Sequence, residues 1–150
     1  MTHREGEWHQ ELRRFAATMR IALEPGMPRD AKGEVDSAGT CLYACVALVA
    51  MLGRFDVAVA RIRGGEGRRG EGALTVHGDW IGHYWVEATA VGTADPVVLD
   101  ITSDQLGYET VTVISLEASV GRYKPGRQDL VDTAATEIAA EMGLSALHGA

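Results

Sequence analysis

The sequence predicts an α+β domain in which an antiparallel sheet of four or five strands packs on one buried central helix. Helical patterns come first in the chain and a run of strand patterns follows, an order typical of α+β domains. The segment 41–52 is apolar nearly all round, so it belongs in the core. A chain of 150 residues fits a single domain, 1–150.

Two amphipathic helices are predicted on either side of this central segment. The first covers about 7–23, where apolar residues recur every three or four positions, and the Glu-Pro-Gly at 24–26 ends it. The second covers about 127–143 and shows the same spacing. For the central helix, Thr40 is the predicted N-cap and Gly53 the predicted end.

Five segments have the alternation, or the β-branched and aromatic content, of strands. They are 57–63, 73–77, 84–91, 97–101 and 110–114. Five glycines within nine positions follow the first of them, at 64–72. Because an ordered glycine loses more backbone entropy than any other residue, this stretch predicts a mobile loop that acts in substrate access or selection.

Composition and charge disfavour several classes of partner. Lys plus Arg is 14 and Asp plus Glu is 21, a net charge of −7, whereas binding to nucleic acid or an anionic membrane needs clustered cations. The apolar run at 41–52 is shorter than the ~20 residues that span a bilayer. The N-terminus is polar and has no signal-peptide core. A cytoplasmic location is expected.

Cys41 is the first candidate for chemistry. It would lie in the first turn of the central helix, where unpaired N–H groups and the helix dipole stabilise a reactive thiolate. Cys45 lies one turn deeper in apolar surroundings, where a thiol stays protonated and inert. On a helix the two Cβ atoms are ~5–6 Å apart, too far for a disulfide. The alternative is that both are small core residues.

His83 and Asp100 are the second and third candidates. Asp100 ends an apolar strand, where an ionised carboxylate needs a partner. The short connection at 92–96 predicts that the strands on either side form a hairpin, which would bring Asp100 beside His83. A base that takes the thiol proton, and a carboxylate that orients the base, are what a cysteine nucleophile needs. Taken singly, His83 is as readily a structural histidine.

Four segments, in chain order, resemble the transglutaminase-like branch of the papain-like cysteine enzymes. Gly-Thr-Cys at 39–41, with the apolar helix behind it, looks like the nucleophile segment of that family. The stretch at 57–65 resembles its strand ending in Arg-x-x-Gly. His-Tyr-Trp-Val-Glu at 83–87 is similar to its His-x-Trp-x-Glu, and Asp-Ile-Thr at 100–102 to its Asp-x-Thr. The likeness covers about 39–102.

This resemblance implies a papain-like fold with a catalytic core over about 39–115. It implies that Cys41 is the nucleophile, His83 the general base and then acid, and Asp100 the orienting carboxylate. The reaction would pass through a thioester formed from an amide bond of a protein or peptide substrate, with no metal or other cofactor. Proteolysis or glutamine deamidation is favoured over cross-linking, because a small chain offers little surface for a second protein substrate.

The predicted substrate contacts and oxyanion donors surround this triad. Trp85 and Gln105 are the expected substrate-binding residues. The backbone N–H of Cys41 is one expected oxyanion donor. The upstream Gln that papain-type enzymes use has no obvious counterpart here, so Ser37 and Trp80 are candidates for the second donor.

Other functions compete with this one. The domain could be a non-catalytic module that keeps the fold and recognises a peptide along an open sheet edge. The Gly-x-Gly-x-x-Gly at 65–70 is not followed by the helix that a nucleotide loop opens. His77, Asp79 and His83 have a spacing that fits no metal-site signature. The arginines at 61–69 are read as a solvated loop, or as a patch for an acidic substrate segment.

Overall fold

Helices precede and follow a run of strands in the computed structural model, which describes residues 3–37, 39–93 and 95–144. The helices within these residues are α1 (His3–Leu23), α2 (Cys41–Arg54), α3 (Leu116–Ser119) and α4 (Gln128–Glu141). The strands are β1 (Ala58–Glu66), β2 (Gly72–Leu74), β3 (Trp80–Ala90), β4 (Val97–Asp100), β5 (Thr112–Ser115) and β6 (Tyr123–Lys124). The ends of the predicted 1–150 domain, 1–2 and 145–150, lie outside the described residues.

The strands form one antiparallel sheet built around β3. Its order is β5–β4–β3–β2–β6, and β1 also pairs with β3. The β1 pairing runs from Ala58 opposite Ala90 to Glu66 opposite Gly82, and β4 pairs through Val86 opposite Leu99. The α+β class with an antiparallel sheet is therefore confirmed. The prediction of four or five strands is wrong, because the two-residue β6 is too short to show an alternating pattern.

The central helix is buried as its composition predicts. Leu48 and Leu52 of α2 are fully buried in one core cluster with Val86 of β3 and Leu99 of β4. The other helices flank this core: α1 contributes Leu12 and Ala16, and α4 contributes Val131 and Ala135. No helix among the described residues is long and apolar enough to cross a membrane.

Two details at the ends of α2 differ from expectation. Thr40 occupies the cap position, but its hydroxyl donates to the carbonyl of Ser37 at 2.6 Å and makes no side-chain cap. The helix continues through Gly53 to Arg54, so Gly53 does not end it. A glycine ends a helix when it adopts the left-handed conformation, with positive φ. Gly53 has a negative φ, so the helix continues through it.

The glycine-rich stretch 64–72 is not the loop that its composition predicts. Gly64 and Gly65 continue β1, Arg68–Gly70 form a 3-10 turn, and β2 begins at Gly72. A Cβ on Gly65 would collide with the backbone of Gly72, and one on Gly72, at φ +102°, with the carbonyl of Ile81. Glycine is needed here because one backbone segment packs directly against another. The abundance of glycine therefore indicates close backbone contacts and not a flexible loop.

The first helix docks at the far edge of the sheet. Arg13 of α1 donates to the carbonyls of Val111 and Val113, at 3.4 and 3.3 Å. Val113 belongs to β5, the end strand in the order of the sheet. Helix α1 thus ties the edge of the sheet to the core.

Candidate active site

His83 and Asp100 meet in the interior, where β3 and β4 pair. The two strands form the expected antiparallel hairpin. His83 Nε2 lies 2.8 Å from Asp100 Oδ2, and each residue is 1% exposed. A buried carboxylate needs a partner, and the imidazole supplies it.

Every lone pair direction of the Asp100 carboxylate is used. Oδ2 also accepts a hydrogen bond from the Tyr123 hydroxyl at 2.8 Å. Oδ1 accepts from the backbone N–H of Thr102 at 3.0 Å and from its hydroxyl at 3.3 Å. Burial would raise the pKa of Asp100, but the charge of His83 and these hydrogen bonds outweigh it and lower the pKa. Asp100 is therefore an anion held in one orientation.

The second ring nitrogen of His83 is available to Cys41. Nδ1 is buried and has no hydrogen-bond partner of good geometry among the described residues. The Cys41 thiol is close enough to the ring to affect its protonation. Burial would lower the pKa of His83, but the charge of Asp100, the hydrogen bond to it and the neighbouring thiol raise the pKa from 6.5 to about 10. The imidazole therefore carries a proton at neutral pH.

The two cysteines occupy different environments. Cys41 is the first residue of α2 and is 9% exposed, whereas Cys45 is 3% exposed inside the core cluster. Burial, and then the charges of Cys41 and Asp100, raise the pKa of the Cys45 thiol well above its ordinary value. Both cysteines are free. Cys45 is thus a protonated core residue, as predicted.

Trp85 supports the histidine and is not placed to bind substrate. It lies 1% exposed in a second apolar cluster. Its ring stacks on His83, with centroids 6.5 Å apart, and lies 5.1 Å from the ring of Tyr123. The prediction that Trp85 contacts substrate is corrected for this reason: almost none of its surface is accessible. The aromatic pair fixes the imidazole against the sheet.

A polar network anchors the loop that leads into Cys41. Arg20 of α1 makes two 2.8 Å hydrogen bonds to the carboxylate of Asp104 and one of 2.9 Å to the carbonyl of Ile101. The Ser37 hydroxyl donates to Asp104 at 2.8 Å. The Gln105 amide donates to the Ser37 carbonyl at 2.7 Å. The loop before Cys41 is thereby fastened to the turn that follows Asp100.

This network revises two expectations. The Ser37 hydroxyl is engaged with Asp104, so the suggestion that it donates to an oxyanion is wrong. Gln105 holds the loop through its amide nitrogen, and its predicted contact with substrate stays a prediction. Trp80, the other candidate donor, is half-buried at the start of β3, where it pairs with Leu74.

Sequence reasoning missed two residues of this site, Tyr123 and Arg20. Tyr123 comes from the short strand β6, which gave no pattern. Arg20 did have a signal: it follows Leu12 and Ala16 at helical spacing, and all three are buried on one face of α1. A cation on a buried stripe needs an acid, and that acid is Asp104.

The remaining sequence candidates do not join this site. His77 and Asp79 are exposed in the turn before β3. Within the part of the chain that the structure describes, no cluster of three or more His, Cys, Asp or Glu side chains could hold a metal ion. No protein-family model, curated protein or solved structure matches the chain.

Proposed function

We propose that the protein is a cysteine-dependent acyl hydrolase or acyltransferase with a papain-like core. Cys41 is the nucleophile, His83 the general base and acid, and Asp100 the carboxylate that orients it. The observation that carries the proposal is the buried 2.8 Å pair of His83 and Asp100, with the other imidazole nitrogen left for the first residue of a helix. Cys41 begins α2, His83 lies on β3 and Asp100 ends β4.

The charge state of the site supports this assignment. A protonated imidazole has two N–H groups, and His83 donates one of them to Asp100. Leaving the other N–H buried without an acceptor would cost about 1–3 kcal/mol. Cys41 Sγ is the acceptor that removes this cost, and we propose that the reaction proceeds from a thiolate there, the nucleophilic form of a cysteine.

The first half of the reaction forms the acyl-enzyme. The Cys41 thiolate attacks the carbonyl carbon of an amide, and negative charge moves to the carbonyl oxygen. The backbone N–H of Cys41, at the start of α2, donates to that oxygen. His83 then gives its proton to the leaving nitrogen, the C–N bond breaks, and a thioester remains on Cys41.

The second half returns the enzyme to its starting state. Neutral His83 takes a proton from water as the water attacks the thioester. The C–S bond breaks, the carboxylic acid leaves, and the thiolate–imidazolium pair is restored. An amine in place of water would give acyl transfer by the same steps.

The substrate class we propose is an amide in a protein or peptide, cleaved in the main chain or deamidated at glutamine. No step needs a metal or other cofactor. Free thiols persist in a reducing compartment, so the proposal places the protein in the cytoplasm.

Alkylation of Cys41 by iodoacetamide tests the proposal directly. We expect iodoacetamide to label Cys41 at neutral pH much faster than it labels a free thiol such as cysteine. His83→Gln should slow the labelling to the rate of the free thiol, and Cys45→Ala should leave it unchanged. A module that merely keeps the fold would show slow labelling at neutral pH and no effect of His83→Gln, and that result would overturn the proposal.

Peptide libraries distinguish the reactions. Incubation with mixed glutamine-containing peptides, followed by mass spectrometry, separates cleaved from deamidated products. Cys41→Ala is the matched control, because it removes the sulfur while leaving His83 and Asp100 in place.

A further inference from the structure

The open face of the sheet carries a concave site that the proposed chemistry does not use. Its volume is about 550 Å³, within the ~300–1,000 Å³ usual for small-molecule sites. It lies between β1, β3 and the segment that runs from α3 to β6. We call it the cationic pocket, after the charged residues Arg61, Arg63 and Lys124 in its wall.

Charge in this pocket is unbalanced. Glu87 is the acidic residue in its described lining, and both arginines share it: Arg61 Nη2 lies 3.1 Å from Glu87 Oε2, and Arg63 Nε lies 3.6 Å from Oε1. Arg63 Nε is buried without a hydrogen bond to any described residue. Lys124 adds a third cation. The protein as a whole carries −7, so this local excess of positive charge favours an anion here.

Apart from Ser119, the rest of the lining is apolar or aromatic. Trp85 and Tyr123 lie beneath the pocket and are only 1% and 3% exposed. Leu116 and Val120, which are 38% and 72% exposed, form part of the rim. A free inorganic anion would leave these apolar surfaces in contact with water. A ligand that has both a charged head and an apolar body would cover them and gain their burial.

We propose that the cationic pocket binds a small organic anion, with a carboxylate or phosphate head among Arg61, Arg63 and Lys124 and an aromatic or aliphatic body against Leu116 and Val120. The site is distinct from the proposed nucleophile, because Cys41 does not line it. The proposal goes beyond the cysteine chemistry and does not depend on it.

A nuclear magnetic resonance titration of the full chain tests the pocket. The probes are 3-phenylpropionate, phenyl phosphate, neutral 3-phenylpropionamide and inorganic phosphate. We expect both organic anions to shift the Trp85 indole N–H resonance saturably. The amide lacks the charge and inorganic phosphate lacks the apolar body, so each should bind at least roughly tenfold more weakly. The tighter organic anion identifies the head group.

Variants of opposite sign sharpen the test. Arg61→Gln and Lys124→Gln should each weaken 3-phenylpropionate roughly three- to tenfold. Glu87→Gln should strengthen it, because it removes the competing acid. Arg54→Gln, an exposed change of the same charge at the end of α2, is the matched control and should have no effect.

Two results would overturn the proposal. One is equal binding of 3-phenylpropionate and its amide. The other is the absence of a saturable shift with either organic anion up to about 10 mM, a concentration above the Kd expected for a fragment-sized ligand. Cys41→Ala should bind the probes as the unaltered chain does. A protein without cysteine reactivity that still binds them would refute the proposed function and leave the pocket standing.

Discussion

At the scale of single residues, the decisive feature is the full use of the Asp100 carboxylate. Four donors from His83, Tyr123 and Thr102 hold it in the interior. A charge buried this deeply is stable only when its hydrogen bonds are complete. The Tyr123 hydroxyl therefore acts on His83 through Asp100, and it is a positioning residue of the proposed site.

Replacing Tyr123 with phenylalanine tests that position. Tyr123→Phe keeps the ring against Trp85 but removes one donor from a buried carboxylate, so we expect the free energy of unfolding to fall by about 1–3 kcal/mol. Urea denaturation measures it. The control is Tyr43→Phe, which removes an exposed hydroxyl that donates to Glu141 at 2.9 Å and should change the free energy of unfolding much less. Equal losses would contradict the role given to Tyr123.

At the scale of elements, the passage from β1 to β2 determines how β3 is flanked. Both strands pair with β3, with Glu66 opposite Gly82 and Ala73 opposite Ile81. The chain between them makes a 3-10 turn, and the glycines beside it pack against backbone. This packing leads directly into the part of β3 that carries His83, so the glycines serve the site by holding its strand.

An alanine at Gly72 should be severely destabilising. The residue has φ +102°, and a Cβ there would collide with the carbonyl of Ile81. We expect Gly72→Ala to cost about 3 kcal/mol or more, in the range of strained backbone combined with overpacking. Gly53→Ala is the matched control: a Cβ there meets nothing within 4 Å, and alanine should stabilise the helix by about 0.5–1 kcal/mol. Thermal unfolding of both variants gives the comparison, and a tolerated Gly72→Ala would contradict the close packing.

Sequence patterns predicted contacts between residues that are close along the chain and missed contacts between residues that are far apart in it. The hairpin that joins His83 to Asp100 was predictable, because a short connection and an unpaired acid are local signals. Tyr123 and Arg20 were not identified, because their partners lie 23 and 84 positions away and no local pattern encodes such a contact. The run at 64–72 was misread because glycine is favoured both in loops and where backbones touch.

At the scale of the whole molecule, one ion pair connects the first helix to the candidate site. Arg20 is 3% exposed and the side chain of Asp104 is 24% exposed. Asp104 also accepts a hydrogen bond from the Ser37 hydroxyl. Helix α1, the loop before Cys41 and the turn after β4 are therefore joined through one carboxylate. Removing one partner from such a pair leaves the other charge poorly solvated.

Arg20→Met should therefore lower the free energy of unfolding by about 2–4 kcal/mol, somewhat less than for a fully buried pair because Asp104 is partly exposed. Combining it with Asp104→Leu should recover part of this loss, since the less exposed acid is then removed as well, while Glu24, the other acid paired with Arg20, is 32% exposed and stays solvated. Arg127→Met is the control, because its 2.6 Å pair with Asp129 is exposed on both sides and such pairs add little to stability. Equal effects of Arg20→Met and Arg127→Met would show that the network adds nothing.

The stability of the whole protein should also depend on pH through His83. Its pKa is about 10 in the fold and near 6.5 in the unfolded chain, so the folded state holds an extra proton between these values. The contribution is complete below pH 6.5 and is lost as pH rises towards 10. We expect the urea midpoint of Cys41→Ala, in which no thiol can exchange a proton with His83, to fall from pH 7 to pH 9, and the slope to flatten when His83→Gln is added. A midpoint that rises over this interval would contradict the raised pKa.

The docking of α1 has a consequence for the protein during its synthesis. Helix α1 leaves the ribosome early, but Asp104 and the β5 carbonyls that receive Arg20 and Arg13 follow more than 80 residues later. Before Asp104 has emerged, Arg20 has Glu24, one turn further along and 32% exposed, as its partner, but it lacks the acid that meets it in the interior. We therefore expect the first helix to dock late during synthesis, and a chain that ends before residue 104 to leave this helix undocked.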